Sequence, residues 1–290
     1  MTGSDGTDGA AGPGRAAAFL ALHRRGDPLL QPNAWDEGSA RLLEALGFAA
    51  VATTSGGFAA TLGRLDGGVS RAEAIDHGAR LAAAVGIPVA ADTENGFGDD
   101  PATVADTVRA AGAAGLAGCS IEDFTRRPDD PIYDMALAAE RIAAAAEAAH
   151  DGPHPVVLTA RAENLIHDRP SLDDTITRLQ AYQEAGADVL FAPGLRTAQD
   201  IGAVVSSVDR PVNVLALQGC PPVAELASLG VARISVGGAF AVAAYARLVD
   251  AATELRERGT YSWWGDVGAT REQLRRAFAT PRSARYDRRR

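Results

Sequence analysis

The sequence predicts a single α/β domain, a (β/α)8 TIM barrel, on three observations. Eight short apolar runs recur between residues 29 and 236, turns rich in Gly, Pro or Asp follow them, and Ala/Arg/Glu-rich helical stretches lie between. A doubly wound sheet competes, but it rarely sustains eight such units, and no G-x-G-x-x-G follows the first run. The chain of 290 residues is 47% hydrophobic, enough for a large core without disulfides or a structural metal. The barrel is expected over 15–280. Residues 1–14, almost without apolar side chains, read as a disordered tail, and 281–290 as a solvated C-terminal tail.

In chain order, a strand at 29–34 leads to a helix at 38–46, and a strand at 48–53 runs into T-T-S-G-G and then a helix at 71–85. The strand at 88–92 precedes a helix at 101–114, the strand at 116–122 a helix at 135–150, and the strand at 156–161 a helix at 172–185. Strands at 189–192, 212–215 and 232–236 alternate with helices at 198–208 and 222–229. A long helix at 240–256, the Trp263–Trp264 pair and a short helix at 271–278 close the chain. Gly47, Gly86, Gly115, Gly186 and Gly230 stand where a left-handed C-cap ends a helix.

All 28 basic residues are Arg; there is no Lys. Schiff-base aldolase, pyridoxal-phosphate and P-loop NTPase chemistry are thereby excluded. The formal charge of -9 argues against nucleic-acid and acidic-membrane partners. No stretch reads as a signal peptide or membrane span, and two Cys make no disulfide framework, so a reducing cytoplasm is the simplest home.

In such a barrel chemistry sits at the C-terminal strand ends, and acidic and amide residues collect there. Asp92 and Glu94, two apart in A-D-T-E-N-G-F-G, are expected on one side of an extended strand end, with Glu122 and Asp123 on the next strand. Carboxylates so placed repel unless a cation lies between them, and hard oxygens suit Mg²⁺ or Mn²⁺; the alternative is helix capping. Arg161 suits a substrate carboxylate or an internal ion pair. Ser55, Gly56 and Gly57 form either an anion nest or ordinary turn punctuation. Asn213 is a polar residue in an apolar strand that needs a partner, and Asp66 is a site residue or a turn former. His77, His150 and His154 read as surface or helix-end residues without zinc-ligand spacing. Cys119 reads as core, and Cys220 faces the site only if a partner exists for it.

The ordered segments P-N-A-W-D (32–36), T-T-S-G-G (53–57), A-D-T-E-N-G-F-G (91–98), I-E-D (121–123), A-R (160–161), E-A-G-A-D (184–188), P-V-N-V-L (211–215) and L-G-V-A-R-I-S-V-G (229–237) resemble the isocitrate lyase/phosphoenolpyruvate mutase superfamily over about residues 28–260. The resemblance implies a barrel whose eighth helix is exchanged between subunits, giving a homodimer or homotetramer. It implies Asp92 as the direct Mg²⁺ ligand, with Glu94 and Glu122 holding metal-bound waters. Ser55, Gly56 and Gly57 would bind a substrate carboxylate, Arg161 its oxygens, Asn213 would line the pocket, and Asp66 would lie near the reacting centre.

One departure stands out. The superfamily's lyases carry a K-K-C-G-H loop and its mutases and hydrolases a loop with Lys and Asn-Ser, whereas this chain reads F-T-R-R-P-D-D-P-I-Y-D between the fourth and fifth strands. Glu163 and Asp123 are therefore the acid/base candidates. The expected activity is Mg²⁺-dependent C–C cleavage of a small 2-oxo or 2-hydroxy carboxylate through an enolate. The alternatives are C–P chemistry, as in phosphonopyruvate hydrolase or carboxyphosphonoenolpyruvate mutase, and a non-catalytic carboxylate binder.

Overall fold

The computed structural model describes residues 13–167 and 169–279. Helix α1 (Pro13–Leu20) precedes a broken first strand, β1 (Leu29–Gln31) and β2 (Asn33–Ala34). There follow α2 (Glu37–Ala45), β3 (Val51–Thr53), α3 (Ser55–Thr61), α4 (Arg71–Ala84), β4 (Val89–Asp92), α5 (Pro101–Ala113), β5 (Gly118–Glu122) and α6 (Met135–His150). The second half runs β6 (Val157–Arg161), α7 (Leu172–Glu184), β7 (Val189–Phe191), α8 (Ala198–Ser207), β8 (Val212–Leu215), α9 (Val223–Ser228) and β9 (Arg233–Ser235). Helices α10 (Ala239–Arg258) and α11 (Trp264–Phe278) complete it.

The strands form one parallel sheet in the order β1-β9-β8-β7-β6-β5-β4-β3-β2. Its two ends, β1 and β2, are joined through Pro32, so the chain itself closes the ring and the expected eight-strand barrel is present with its first strand in two pieces. Proline has no N–H for a ladder bond, which is why the strand breaks there. Asn33 spans the seam. Its Nδ2 donates to the Thr53 carbonyl at 2.7 Å, and its Oδ1 accepts from the N–H groups of Val236 (3.1 Å) and Gly237 (2.8 Å).

Three helices differ from the sequence expectation, among them α11, which begins at Trp264 instead of 271. Pro13 and Gly14, expected in the tail, begin α1, and T-T-S-G-G opens α3 rather than a simple turn; the rest of 1–14 and the tail at 281–290 lie outside the described residues. Gly86 also departs from expectation. Gly47, Gly115, Gly186 and Gly230 adopt positive φ, but α4 ends on an extended Val85, and the Gly86 N–H goes to Glu44 Oε1 at 2.7 Å.

The main core lies between sheet and helices, where Leu81, Val104, Ile121, Leu158, Leu179 and Ile201 are fully buried. A smaller cluster fills the barrel floor: Phe19 of α1 packs with Leu29, Ala50, Ala90, Val157 and Val189. Small strand residues make room for this plug, because a Cβ on Gly118 would lie 2.8 Å from the Phe19 ring. Above the floor the interior is polar, with Gln31, Ser120, Thr159, Arg161, Asn213 and Arg233 facing a cavity instead of the usual branched layers. Among the described residues no helix is long and apolar enough to cross a membrane.

His77 is not at the surface. It is 3% exposed and its ring stacks on Phe58 at 3.8 Å. His150 and His154 sit at the exposed end of α6 and in the turn beyond it, with His150 Nε2 3.0 Å from Asp188. Cys119 is a core thiol, pushed up to about 12 by burial, while the Cys220 thiol faces the carbonyls of Leu195 and Leu215.

Candidate active site

The β3–α3 junction sets one wall. Thr54 leaves β3 with extended backbone, and its side chain accepts from the Gly57 N–H at 3.3 Å as the N-cap of α3. The Ser55 N–H donates to Asp92 Oδ2 at 3.1 Å, and Thr53 Oγ1 accepts from the Asp92 N–H at 2.9 Å, locking the ends of β3 and β4 together. Ser55 and Gly56 line the cavity; Gly57 is packed beneath Trp35, where a Cβ would fall 3.1 Å from the Trp35 Cβ. Asp66 is a turn former that also lines the cavity. It accepts from the Gly67 N–H at 3.0 Å as a turn former, and its carboxylate lies where a Cβ on Gly56 would be 3.3 Å away.

Asp92 is the last residue of β4, so strand alternation does not carry on to Glu94. Glu94 has φ +51 and Phe97 φ +61, and the chain turns sharply back. Glu94 reaches the same cavity by this turn and pairs there with Arg126. Buried Arg141 holds the turn in place. Its Nη1 donates to the carbonyls of Gly98 (2.8 Å) and Asp99 (2.9 Å), its Nη2 to that of Asn95, and its guanidinium lies over the Tyr133 ring at 3.9 Å. A backbone conformation unfavourable for non-glycine residues is thus maintained beside the strand-end carboxylates.

Arg161 forms the centre. Its Nη1 lies 3.0 Å from Asp92 Oδ1 and 3.1 Å from Glu122 Oε2, and its Nη2 lies 2.8 Å from Glu163 Oε1. The internal ion pair is therefore formed. Burial pushes the Glu122 carboxyl well above the carboxylate range; Arg161 opposes this, and the neighbouring Glu163, Asp92 and Asp123 reinforce it. Asp123 turns away from the cavity. It accepts from Tyr182 Oη (2.5 Å), Arg178 Nη1 (3.1 Å) and the Glu163 N–H (2.8 Å), so its acid/base candidacy gives way to a role in fixing Glu163.

The open space has two lobes sharing Ser55, Asp66, Arg161 and Ile166. The inner lobe, about 230 Å³, descends into the barrel past Asn213 to Thr159 and Arg233. Asn213 Nδ2 donates to Ser235 Oγ at 2.9 Å, and its buried Oδ1 has no partner among the described residues. Arg233, 5% exposed, meets Thr159 Oγ1 (3.2 Å) and His23 Nε2 (3.3 Å) among the described residues, and burial with the nearby Arg161 charge pulls it down to about 9. The outer lobe, about 500 Å³, is lined by Glu94, Glu122, Phe124, Arg126, Glu163 and His167. Sequence reasoning does not single out Arg126, His167 or Arg233, because a loop arginine, a histidine without ligand spacing and an arginine inside a short strand carry no distinctive signal.

A divalent cation fits this mouth chemically. Five carboxylates, Asp66, Asp92, Glu94, Glu122 and Glu163, line the two lobes together with Arg126, Arg161 and the deeper Arg233, and all the acidic donors are hard oxygens. The described residues hold no preformed group of three or more acidic, His or Cys side chains in coordinating reach. Mg²⁺ keeps several waters and takes one or two carboxylates directly.

Residues 19–256 match the family model described as phosphoenolpyruvate phosphomutase. The chain belongs to this family. It is 52% identical to a crystal structure from Burkholderia cenocepacia J2315 described as a lyase or mutase, with TM-score 0.88 over 92% of this chain and 96% of that one. It is 29% identical to the 2-methylisocitrate lyase of Escherichia coli K12 over 90% of each chain. It is 25% identical to oxaloacetate acetylhydrolase in complex with the product oxalate, with TM-score 0.83 over 94% and 96%. In this member of the phosphoenolpyruvate phosphomutase family, the segment that departs from the expected loop motifs is tied to the β4 turn: Arg126 meets Glu94, and Arg127 meets Asp99 at 2.8 Å.

Proposed function

We propose that the protein is a Mg²⁺-dependent lyase that breaks a C–C bond in a small 2-oxo or 2-hydroxy carboxylate through an enolate. The observation that carries this reading is the convergence of Asp92, Glu94 and Glu122 with Arg161 and the Ser55–Gly56 wall on one cavity at the C-terminal strand ends. Asp92 would hold the ion directly, and Glu94 and Glu122 its waters. Bound there, Mg²⁺ supplies a Lewis acid for the substrate's oxo group.

The chain's own groups do the rest. The Gly56 wall, Ser55 and Asn213 receive the substrate carboxylate, and Arg161 offsets carboxylate crowding that the free protein otherwise carries. The inner lobe offers only about 230 Å³, which limits what enters the barrel to a small molecule. Turnover of 2-methylisocitrate, oxaloacetate and phosphonopyruvate should be measured with Mg²⁺ and after EDTA. Activity on one of the first two, removed by EDTA and restored by Mg²⁺, supports the reading. Activity on phosphonopyruvate alone moves the assignment to C–P chemistry, and ligand-induced thermal stabilisation without turnover moves it to a binder.

The working unit is proposed to be a homodimer or homotetramer built by exchange of α10. Of its 20 residues only Ala241 and Glu254 are buried, Glu254 beneath Thr260 and Ser262 rather than on the barrel, and Val242, Leu248 and Val249 are each more than 60% exposed. Apolar exposure on that scale marks a face covered by another chain, here a second copy of this one.

A further inference from the structure

The segment that would carry the proton-handling cysteine in a related lyase lacks it here, yet the outer lobe contains a histidine. His167 lies on the loop after β6, 26% exposed, with its ring stacked on Phe124 at 3.7 Å and 4°. Its Nε2 stands 3.6 Å from Glu163 Oε2. Glu163 is itself fixed by Arg161 through its other oxygen, at 2.8 Å from Nη2 and 2.9 Å from Nε, and by Asp123 through its backbone N–H. The charged groups sharing its lobe are Asp66, Glu94, Glu122, Arg126, Arg161 and Glu163. No other histidine among the described residues lines either lobe.

We propose that His167 is the proton carrier of this active site and that Glu163 is its positioning residue. The inference rests on the lyase reading above. Three features equip the ring to carry a proton. An aromatic neighbour fixes its plane, a carboxylate stands 3.6 Å from one nitrogen, and the ring has access to the cavity. Glu163 has no exposed face of its own and serves as the orienting third group, with Arg161 behind it.

The step balances without a co-reactant. With Nε2–H held toward Glu163, neutral His167 takes the hydroxyl proton of a 2-hydroxy acid at Nδ1 as the C–C bond breaks. The oxygen's electron pair forms the new carbonyl, and the pair of the broken bond passes to the departing carboxylate fragment as its enolate. The imidazolium then returns the same proton to the enolate carbon. One proton has moved from oxygen to carbon, and His167 is neutral again.

The test compares the parent protein with H167Q, E163Q and D92A in Mg²⁺. It reads turnover of the best substrate, its pH profile, deuterium incorporation from D2O into the product, melting temperature, and affinity for oxalate, a planar dianion that needs no proton. H167Q is expected to lose about 10²- to 10⁴-fold in turnover and the limb of the pH profile set by the base. It should keep the parent melting temperature and bind oxalate within about threefold. E163Q should retain part of the activity with a displaced pH profile, as expected of a group that acts through His167. D92A should lose turnover and oxalate binding together. Parental turnover by H167Q overturns the assignment while leaving the lyase reading intact, and so does a matching loss of oxalate affinity in H167Q. Absence of Mg²⁺-dependent turnover by the parent overturns the lyase reading and the proton carrier with it.

Discussion

Arg161 Nη1 stands 3.0 Å from Asp92 Oδ1, so a guanidinium sits directly beside the proposed metal ligand. The same nitrogen serves Glu122 at 3.1 Å. Removing it leaves two carboxylates close together with little solvent to separate them. R161Q is expected to lose about 3–5 kcal/mol of stability in urea unfolding with EDTA present. Mg²⁺ should restore more stability to R161Q than it adds to the parent, because it replaces the missing positive charge. Equal Mg²⁺ effects in the two proteins would place the ion away from these carboxylates.

Glu122 makes a second, sharper prediction. Proposed to hold a metal-bound water, it shapes affinity without being a ligand. E122Q should weaken Mg²⁺ binding about 10- to 100-fold by calorimetry, whereas D92A should abolish it. Equal loss in both variants would make Glu122 a direct ligand.

Arg233 carries a buried charge with no carboxylate partner among the described residues, only the Thr159 hydroxyl and His23. Such an arrangement costs stability that an apolar side chain of similar length does not. R233M is expected to unfold at higher urea concentration than the parent, by about 1–4 kcal/mol. Destabilisation instead would show that the Thr159 and His23 hydrogen bonds outweigh the unpaired charge.

Two buried histidines set the acid sensitivity. Burial, then the nearby Arg80, lowers His77 from 6.5 to about 4; burial and Arg233 lower His23 from 6.5 to about 3. Each group's folded value lies below its unfolded value, so the unfolded chain binds the extra proton first. Stability contributed by the neutral rings is complete above about pH 6.5 and falls as pH drops, to about 4 for His77 and about 3 for His23. One such group gives a limiting slope of about 1.4 kcal/mol per pH unit. H77F keeps the stack on Phe58 and should flatten urea stability between pH 6.5 and 4.5 without removing the part due to His23. An unchanged slope would assign the acid sensitivity elsewhere.

How much of this is legible in the sequence follows from what each feature depends on. The strands and the helices between them from α4 to α9 fall within a few residues of their predicted bounds because Gly, Pro and Asp punctuate them locally, whereas α1 and α3 are unpredicted and α11 starts at Trp264 rather than 271. Asp92, Glu122 and Arg161 are legible because a strand end fixes where a side chain starts. Strand alternation is the wrong argument for Glu94, since it stops at Asp92 and the turn is set by Arg141, 47 positions further along the chain. Asp123 and His167 are unreadable for a related reason. Whether each faces the cavity depends on Tyr182, Arg178 and Phe124, contacts made only once distant strands are side by side.

The floor of the barrel offers the last test, and one that separates packing from chemistry. Phe19 is fully buried and plugs the strand bottoms from α1, against a position where only Gly118 leaves room. A Cβ at 118 would stand 2.8 Å from the Phe19 ring and 2.9 Å from the Val157 carbonyl. G118A should therefore cost about 1–3 kcal/mol by overpacking, and F19A about 3–5 kcal/mol by leaving a cavity. The two sites share one contact, so their effects should not add: the small residue at 19 accommodates the methyl at 118, and the double variant should be less destabilised than the sum of the singles by more than about 0.5 kcal/mol. Strict additivity in urea unfolding would mean that the plug and the strand do not touch.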